Sequence, residues 1–305
     1  MGNARAIRYV ILSGLVILLS SLACSIDLGN DNSDEISTQQ TLVALQMTQA
    51  ALENPSDGEP VDDPILPPEE TEPVIQQDVP DVNYEGISFS FNEAIADSVI
   101  PATIPGQNMG EESMPGDTTP TYFEFSFINY ATQDHFHTPR IMVYPVDDYR
   151  AISPYASTTI DNLIQTLSDR PGGGNMSNFP FLPMWNAAQI FAAKVSYFDF
   201  QTGSGVRYLT MFGQAVYPVD NQNLFYTYQG ITYDGRYYIA AVLPVAHFDL
   251  PYDGGSDIDD WLEFSNNWES YISDTILWLE GQAPDRFMPN LDHLDEMMAS
   301  FLIDR

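Results

Sequence analysis

The sequence predicts an α+β domain, an antiparallel β-sheet meander covered by helices, set behind a disordered acidic linker. Three observations carry this reading. Four consecutive strand-like runs, 192–200, 206–216, 224–233 and 236–245, are rich in aromatic and β-branched residues, with glycine-bearing turns after the first and the third. The C-terminal third instead repeats apolar residues at three- and four-residue steps, the period of an amphipathic helix. Hydrophobic residues are 44% of the chain, enough to bury a core, whereas residues 54–83 alternate proline with acid and cannot form one.

At the N-terminus, Arg5 and Arg8 precede an apolar run from Tyr9 to Leu19, followed by small residues up to Cys24. That order is a secretory signal peptide over residues 1–23, and its apolar stretch up to Ala23, about 15 residues, is shorter than the ~20 that span a bilayer. Cys24 is the sole cysteine of the chain, so no intramolecular disulfide can form. Ser21-Leu22-Ala23-Cys24 resembles the lipobox of bacterial lipoprotein precursors, although Ser21 stands where leucine is commoner. The resemblance implies cleavage before Cys24 and diacylglycerol on its thiol. It also implies attachment to the bacterial cell membrane, facing the extracytoplasmic side. Two or three acyl chains make such attachment lasting, at ~0.8 kcal/mol per buried methylene.

Residues 24–83 then read as a tether. Between Cys24 and Pro139 there are 22 acids and no Lys or Arg, so no side-chain ion pair can form within the stretch. Residues 36–53 lack Gly and Pro and space Thr38, Leu45 and Leu52 by sevens, which fits a short helix, either in a linker or as a small coiled-coil stalk. Residues 54–83 are Pro/acid-rich. Proline extends the backbone and like charges resist compaction, so 30 residues reach about 90 Å at ~3.1 Å each. The whole chain carries a formal charge of −33, with 43 acids against 10 bases. This excludes nucleic acid as a default partner, since a phosphate backbone is met by clustered cations.

Residues 84–305 read as the globular domain. Residues 87–92 (ISFSFN) and 122–127 (YFEFSF) alternate apolar and polar as half-buried strands do, and 140–145 (RIMVYP) is a third strand. Ser157, Thr158 and Thr159 predict the cap region of a helix bearing Ile160, Leu163, Ile164 and Leu167, closed by Pro171 and Gly172. The four runs of the meander follow. Thr202-Gly203-Ser204-Gly205 predicts one of its turns and Asp234-Gly235 another, the latter of type I′ with positive φ at both central residues. Residues 257–279 predict one long helix with Trp261, Phe264, Trp268, Ile272, Ile276 and Leu279 on its stripe. Pro289 opens a last helix carrying Leu291, Leu294 and Met298.

The order of these segments, from ISFSF through IMVYPVDDYR and IDNLIQTL to LDEMMASFLI, is similar to that of the PsbP-like α/β/α sandwich. Members of that fold are mostly non-catalytic binding or assembly factors, which is what the resemblance implies here.

Chemistry-bearing residues are sparse. His135 and His137, read as a strand, fall on one face beside Asp134, and two imidazoles with a carboxylate are candidate zinc ligands. Neither an HExxH spacing nor a further placed ligand accompanies them. Asp253 to Asp260 has the acidity of a calcium loop but fails the EF-hand pattern at Gly255 and Ile258, and reads instead as acids at a helix N-terminus. The Pro171–Asn175 run lacks the lysine of a P-loop, and Gly203-Ser204-Gly205 lies between strands rather than at a nucleophile elbow. Tyr226, Tyr228, Tyr233, Tyr237 and Tyr238 either pack in the sheet or line a groove.

The sequence therefore predicts no cofactor. It leads to a lipid-anchored, non-enzymatic binding or assembly module whose partners are the membrane, through Cys24, and an extracytoplasmic protein or ligand. The alternative is an extracellular hydrolase or metal-dependent enzyme that uses the His135/His137 region.

Overall fold

A computed structural model describes residues 81–107, 116, 118–172 and 179–305. Cys24, the 36–53 helix and the linker up to residue 80 lie outside them. In chain order the elements are β1 (Val82–Tyr84), β2 (Ile87–Phe89), β3 (Ser98–Ile104), β4 (Tyr122–Ile128), β5 (Arg140–Pro145), α1 (Val146–Ile152) and α2 (Pro154–Asp169). There follow β6 (Ala188–Gln189), β7 (Ala193–Phe200), β8 (Gly203–Thr210), β9 (Phe212–Gly213), β10 (Phe225–Thr232), β11 (Tyr237–Pro244) and β12 (Ala246–His247). The last are α3 (Trp261–Asn266), α4 (Trp268–Glu280), β13 (Phe287–Met288), α5 (Leu291–Ala299) and β14 (Leu302–Ile303).

Seven of the strands form one sheet in the order β3-β4-β5-β11-β10-β8-β7, every neighbouring pair antiparallel. The fold is thus α+β with an antiparallel meander, as the sequence predicts. Successive side chains of a strand point to opposite faces, and here both faces are buried. On one, Ile141, Val143, Tyr226, Ile239 and Leu243 join Ile272, Ile276 and Leu279 of α4 and Leu294 and Met298 of α5. On the other, Tyr144, Val206, Tyr208, Tyr238 and Val242 join Val146 and Tyr149 of α1 and Ile160 and Leu163 of α2. Helices therefore cover the sheet from both sides. Among the described residues, no helix is long and apolar enough to cross a membrane.

Several elements depart from the sequence pattern for identifiable reasons. Val82 and Asn83, assigned to the linker by composition, already belong to β1, which pairs with β2, and β2 pairs in turn with the C-terminal β14. The ISFSF strand is therefore not in the main sheet. β3 goes beyond the sequence expectation. Its Pro101 weakens the strand signal, yet an edge strand tolerates a residue without an N–H. Helix α2 starts earlier than Ser157–Thr159 suggest, because Ser153 accepts from the Ala156 N–H and Pro154 fills the first helical position. The predicted 257–279 helix is two helices. At Asn267 the side-chain amide donates to the Glu263 carbonyl, a local bond that competes with helix continuation. The short α3 buries none of its residues, and Trp261 is 44% exposed.

The glycines of 203–205 do not make a turn. Both lie inside β8, where a Cβ at Gly203 would strike the Phe200 ring and one at Gly205 the Tyr228 ring. They are cavities for aromatic rings lying across the sheet. At the β10–β11 hairpin only Gly235 has positive φ, +72°, and its N–H bonds to the Thr232 carbonyl, so the turn is not type I′.

Candidate functional site

The helix-covered face that holds α2 is covered unevenly. Helix α2 lies over β8 and β10, leaving the β4–β5 end open. There alternate residues of β4 present Tyr122, Glu124 and Ser126, and alternate residues of β5 present Arg140, Met142 and Tyr144, with Glu124 opposite Met142 and Ser126 opposite Arg140. Two adjoining cavities of about 470 and 650 Å³ open on this face. Arg140, Trp185 and Asn186 line both.

The wall between them is an aromatic stack. Trp185 lies against His137 with centroids 4.6 Å apart and planes 7° apart, and meets Phe181 and Phe212 edge-on at 4.8 and 5.0 Å. The segment carrying Trp185 is held to the sheet through buried polar groups, chief among them the Gln229 amide. Gln229 accepts from the Leu182 N–H at 2.9 Å and the Tyr238 hydroxyl at 2.6 Å, and donates to Thr227 at 2.8 Å and to the Leu182 carbonyl at 3.3 Å. Upstream, Gln189 accepts from the Phe179 N–H, and the Tyr208 hydroxyl donates to the Pro180 carbonyl. Such satisfied buried networks fix a segment in one arrangement.

Glu124 is the polar anchor of the floor. It accepts from the Tyr122 hydroxyl, from Ser126 and from Arg140 Nη1, each at 3.3 Å. Burial, and then the negative charge of Glu124, raise the Tyr122 phenol above its ordinary value, which keeps it a donor. Arg140 is about one-third exposed, and its Nε is shielded from solvent with no hydrogen-bond partner among the described residues. An unmet buried donor costs about 1–3 kcal/mol, so this guanidinium sits in an unsatisfied state.

The histidines of the sequence motif border this site but are not on a strand. Residues 135–137 form an irregular segment. His135 Nε2 lies 2.7 Å from the Leu224 carbonyl oxygen and its Nδ1 accepts from the His137 N–H at 3.0 Å. That pattern requires a neutral ring protonated on Nε2, with both nitrogens occupied. Burial lowers His135 to about 4, against a smaller opposing effect of the Leu224 carbonyl. Burial also lowers His137 to about 3, helped by His135 and Arg140. Asp134 is exposed, and the Tyr252 hydroxyl donates to its backbone carbonyl. Among the described residues no group of three or more His, Cys, Asp or Glu is placed to hold a metal ion. The structure thus brings His135 and His137 together as packing and hydrogen-bonding groups of the wall.

The remaining sequence candidates have structural work. Asp253 accepts from the Gly255 N–H and the Tyr217 hydroxyl, and Asp260 caps α3 through the Leu262 and Glu263 N–H groups. Tyr226, Tyr228 and Tyr238 are fully buried, and each hydroxyl has a protein acceptor: Asp295, the Phe198 carbonyl and Gln229. They are packing residues, whereas Tyr233 is exposed. Sequence reasoning missed Arg140 and Trp185 as a pair. A signal was present, since Arg140 is the first base after Arg8 and Trp185 closes the aromatic run Phe179-Pro180-Phe181-Leu182-Pro183-Met184-Trp185.

No protein-family model, curated protein or solved structure matches the chain.

Proposed function

We propose that the chain is a lipid-anchored extracytoplasmic protein of the bacterial cell membrane, whose α+β domain is a non-enzymatic binding module that receives its ligand or partner in the Trp185/Arg140 cleft. The observation that carries the binding role is the cleft itself, where an aromatic wall of Trp185 and His137 stands beside the part-exposed Arg140. Pockets with apolar walls and a few placed polar groups are the usual form of a ligand site. Anchoring is supported by the residue order of 1–24 and by the solitary Cys24. Helices on both faces of the sheet, together with the strand and helix order, support a PsbP-like layering, although a fold by itself assigns no function.

Hydrolysis by His135 or His137 is the competing reading, favoured by their place at the cavity walls. Against it stand the occupied nitrogens of His135 and the depressed basicity of both rings, which makes them weak general bases near neutral pH.

The test has two arms. Expression with labelled fatty acid is expected to label the wild type and not Cys24→Ser, and to shift the variant out of the membrane fraction. Processing and membrane retention of the unlabelled variant would refute the anchor. Cross-linking in intact cells, followed by detergent extraction, is expected to capture a neighbour or small molecule with wild type and to lose it with Trp185→Ala. Capture unchanged by Trp185→Ala would remove the cleft from the binding role.

A further inference from the structure

The larger cavity of the cleft, about 650 Å³, lies between two loops that the fold ties down. One carries Phe136, His137 and Thr138. The Phe136 N–H donates to the Gln222 carbonyl at 2.9 Å and His135 Nε2 lies 2.7 Å from the Leu224 carbonyl oxygen, which fixes this loop to the segment that enters β10. The other carries Trp185 and Asn186 and is fixed to β9 and the residue after it. Ala188 pairs with Gly213, and Gln214 Nε2 donates to the Asn186 carbonyl at 2.8 Å. Walls held in this way present their side chains at little ordering cost when something binds.

The walls present rings and amides. The Phe136 ring is 76% exposed and stands at 86° to His137, which itself lies at 7° to Trp185. Phe136 is therefore nearly perpendicular to the Trp185 stack, and the rings form an apolar corner. The amides of Asn186, Gln214 and Asn223 and the Thr138 hydroxyl line the same cavity. Thr138, Asn186 and Gln214 are exposed and Asn223 is half-buried, so a ligand in the cavity can reach all four. Each amide offers a carbonyl acceptor together with N–H donors. Gln214 uses one N–H on the Asn186 carbonyl and Asn223 uses one on Asp220 at 2.9 Å, and each keeps its oxygen and a second N–H. Rings left in water beside several convergent polar groups are the usual composition of a ligand site.

We propose that this cleft recognises a neutral saccharide, with the apolar C–H face of one pyranose ring packed in the corner of Phe136 and Trp185 and its hydroxyls bonded to Asn186, Gln214, Asn223 and Thr138. This rests on the cleft being the binding site. A sugar hydroxyl donates and accepts at once, and so does each of these four groups, whereas a carboxylate or a phosphate dianion only accepts. Arg140 does not tip the balance toward an anion, because Glu124 accepts from its Nη1 at 3.3 Å and offsets its charge. A cavity of about 650 Å³ suits a monosaccharide or disaccharide unit.

The test titrates the full chain, purified in a sugar-free detergent, with cellobiose, maltose, mannobiose and N,N′-diacetylchitobiose, and with sorbitol and N-acetyldialanine amide as controls. The readout is the Trp185 indole N–H resonance, assigned with Trp185→Phe among the four tryptophans of the chain. At least one disaccharide is expected to shift it saturably. That sugar is expected to bind at least about tenfold more tightly than sorbitol, which has hydroxyls without a rigid ring face, and than the peptide amide. Phe136→Ala and Asn186→Leu are each expected to weaken it about tenfold, and Phe136→Tyr to retain it. An unchanged unfolding midpoint verifies that the variants fold. Sorbitol or the peptide amide binding as tightly as the best sugar would overturn saccharide recognition, and sugar binding indifferent to both substitutions would place the sugar outside the cleft. If no disaccharide shifts Trp185 while Trp185→Ala still loses capture in intact cells, saccharide recognition falls and the cleft remains the binding site. If capture is also unchanged by Trp185→Ala, both fall.

Discussion

Arg207 of β8 and Asp295 of α5 form a two-point ion pair, with Nε and Nη2 at 3.0 and 2.6 Å from the two carboxylate oxygens, and the Tyr226 hydroxyl donates to the same Asp295 at 2.9 Å. The Arg207 side chain is 11% exposed. The contact fastens the last helix to β8, the strand next to the β7 edge of the sheet. Removing one partner of a buried pair strands the other charge. Asp295→Ala is therefore expected to lower the unfolding free energy by about 3 kcal/mol, measured by urea denaturation, with Asp295→Asn losing less. A loss below half of that would mean that water already shares the pair.

Gln229 is expected to position the cleft wall. Gln229→Leu keeps the volume but leaves the Leu182 N–H and carbonyl and the Tyr238 hydroxyl without their partner. Such orphaning costs about 3 kcal/mol in total. Amide hydrogen exchange at Leu182 should accelerate more than exchange in β11, since the segment loosens before the sheet does. Uniform acceleration would place the effect on global stability alone.

Stability should depend on His137 below neutral pH. Its folded value of about 3 lies below the ordinary 6.5, so the unfolded chain takes up the proton first as pH falls. The contribution is intact above 6.5 and is lost progressively as pH falls toward 3. His137→Phe retains a ring against Trp185 without a titrating group. Between pH 6.5 and 4.5 its stability relative to wild type should therefore rise by about 2 kcal/mol. Denaturation curves across that interval check this, and comparing the two proteins cancels the shared carboxylates. A constant difference would refute it.

Two glycine substitutions separate two physical costs. Gly235→Ala meets open space but must adopt φ near +72°, which costs about 1 kcal/mol. Gly205→Ala has no positive φ to hold, but its Cβ meets the Tyr228 ring, and the forced repacking costs about 2 kcal/mol. Thermal unfolding of both variants should rank Gly205→Ala as the more damaging. The reverse order would mean that Tyr228 has room to move.

Much of the fold is legible in the sequence because periodicity reports burial directly. Runs such as 140–145 and 224–233 become strands β5 and β10 almost unchanged, since aromatic and β-branched residues suit a sheet buried on both faces. The C-terminal helices follow from apolar steps of three and four. Where local chemistry competes with period, the sequence misleads. Asn267 splits a continuous apolar stripe into α3 and α4, and Gly203 and Gly205 look like turn residues although they make room for Phe200 and Tyr228.

The candidate site was hardly legible. His135 and His137 attract attention because imidazole is versatile chemistry. Only the tertiary structure reveals that the first has both nitrogens bonded and the second is stacked on Trp185. Arg140 and Trp185 are 45 residues apart in sequence, and their shared cavities depend on where α2 stops covering the sheet. The sequence by itself determined the class of fold, the acidic character and the residue order that predicts export, because these depend on local period and composition. Which side chains face one another across a cleft was decided by the tertiary structure, because strand register and loop path bring distant residues together, and neither leaves a local pattern.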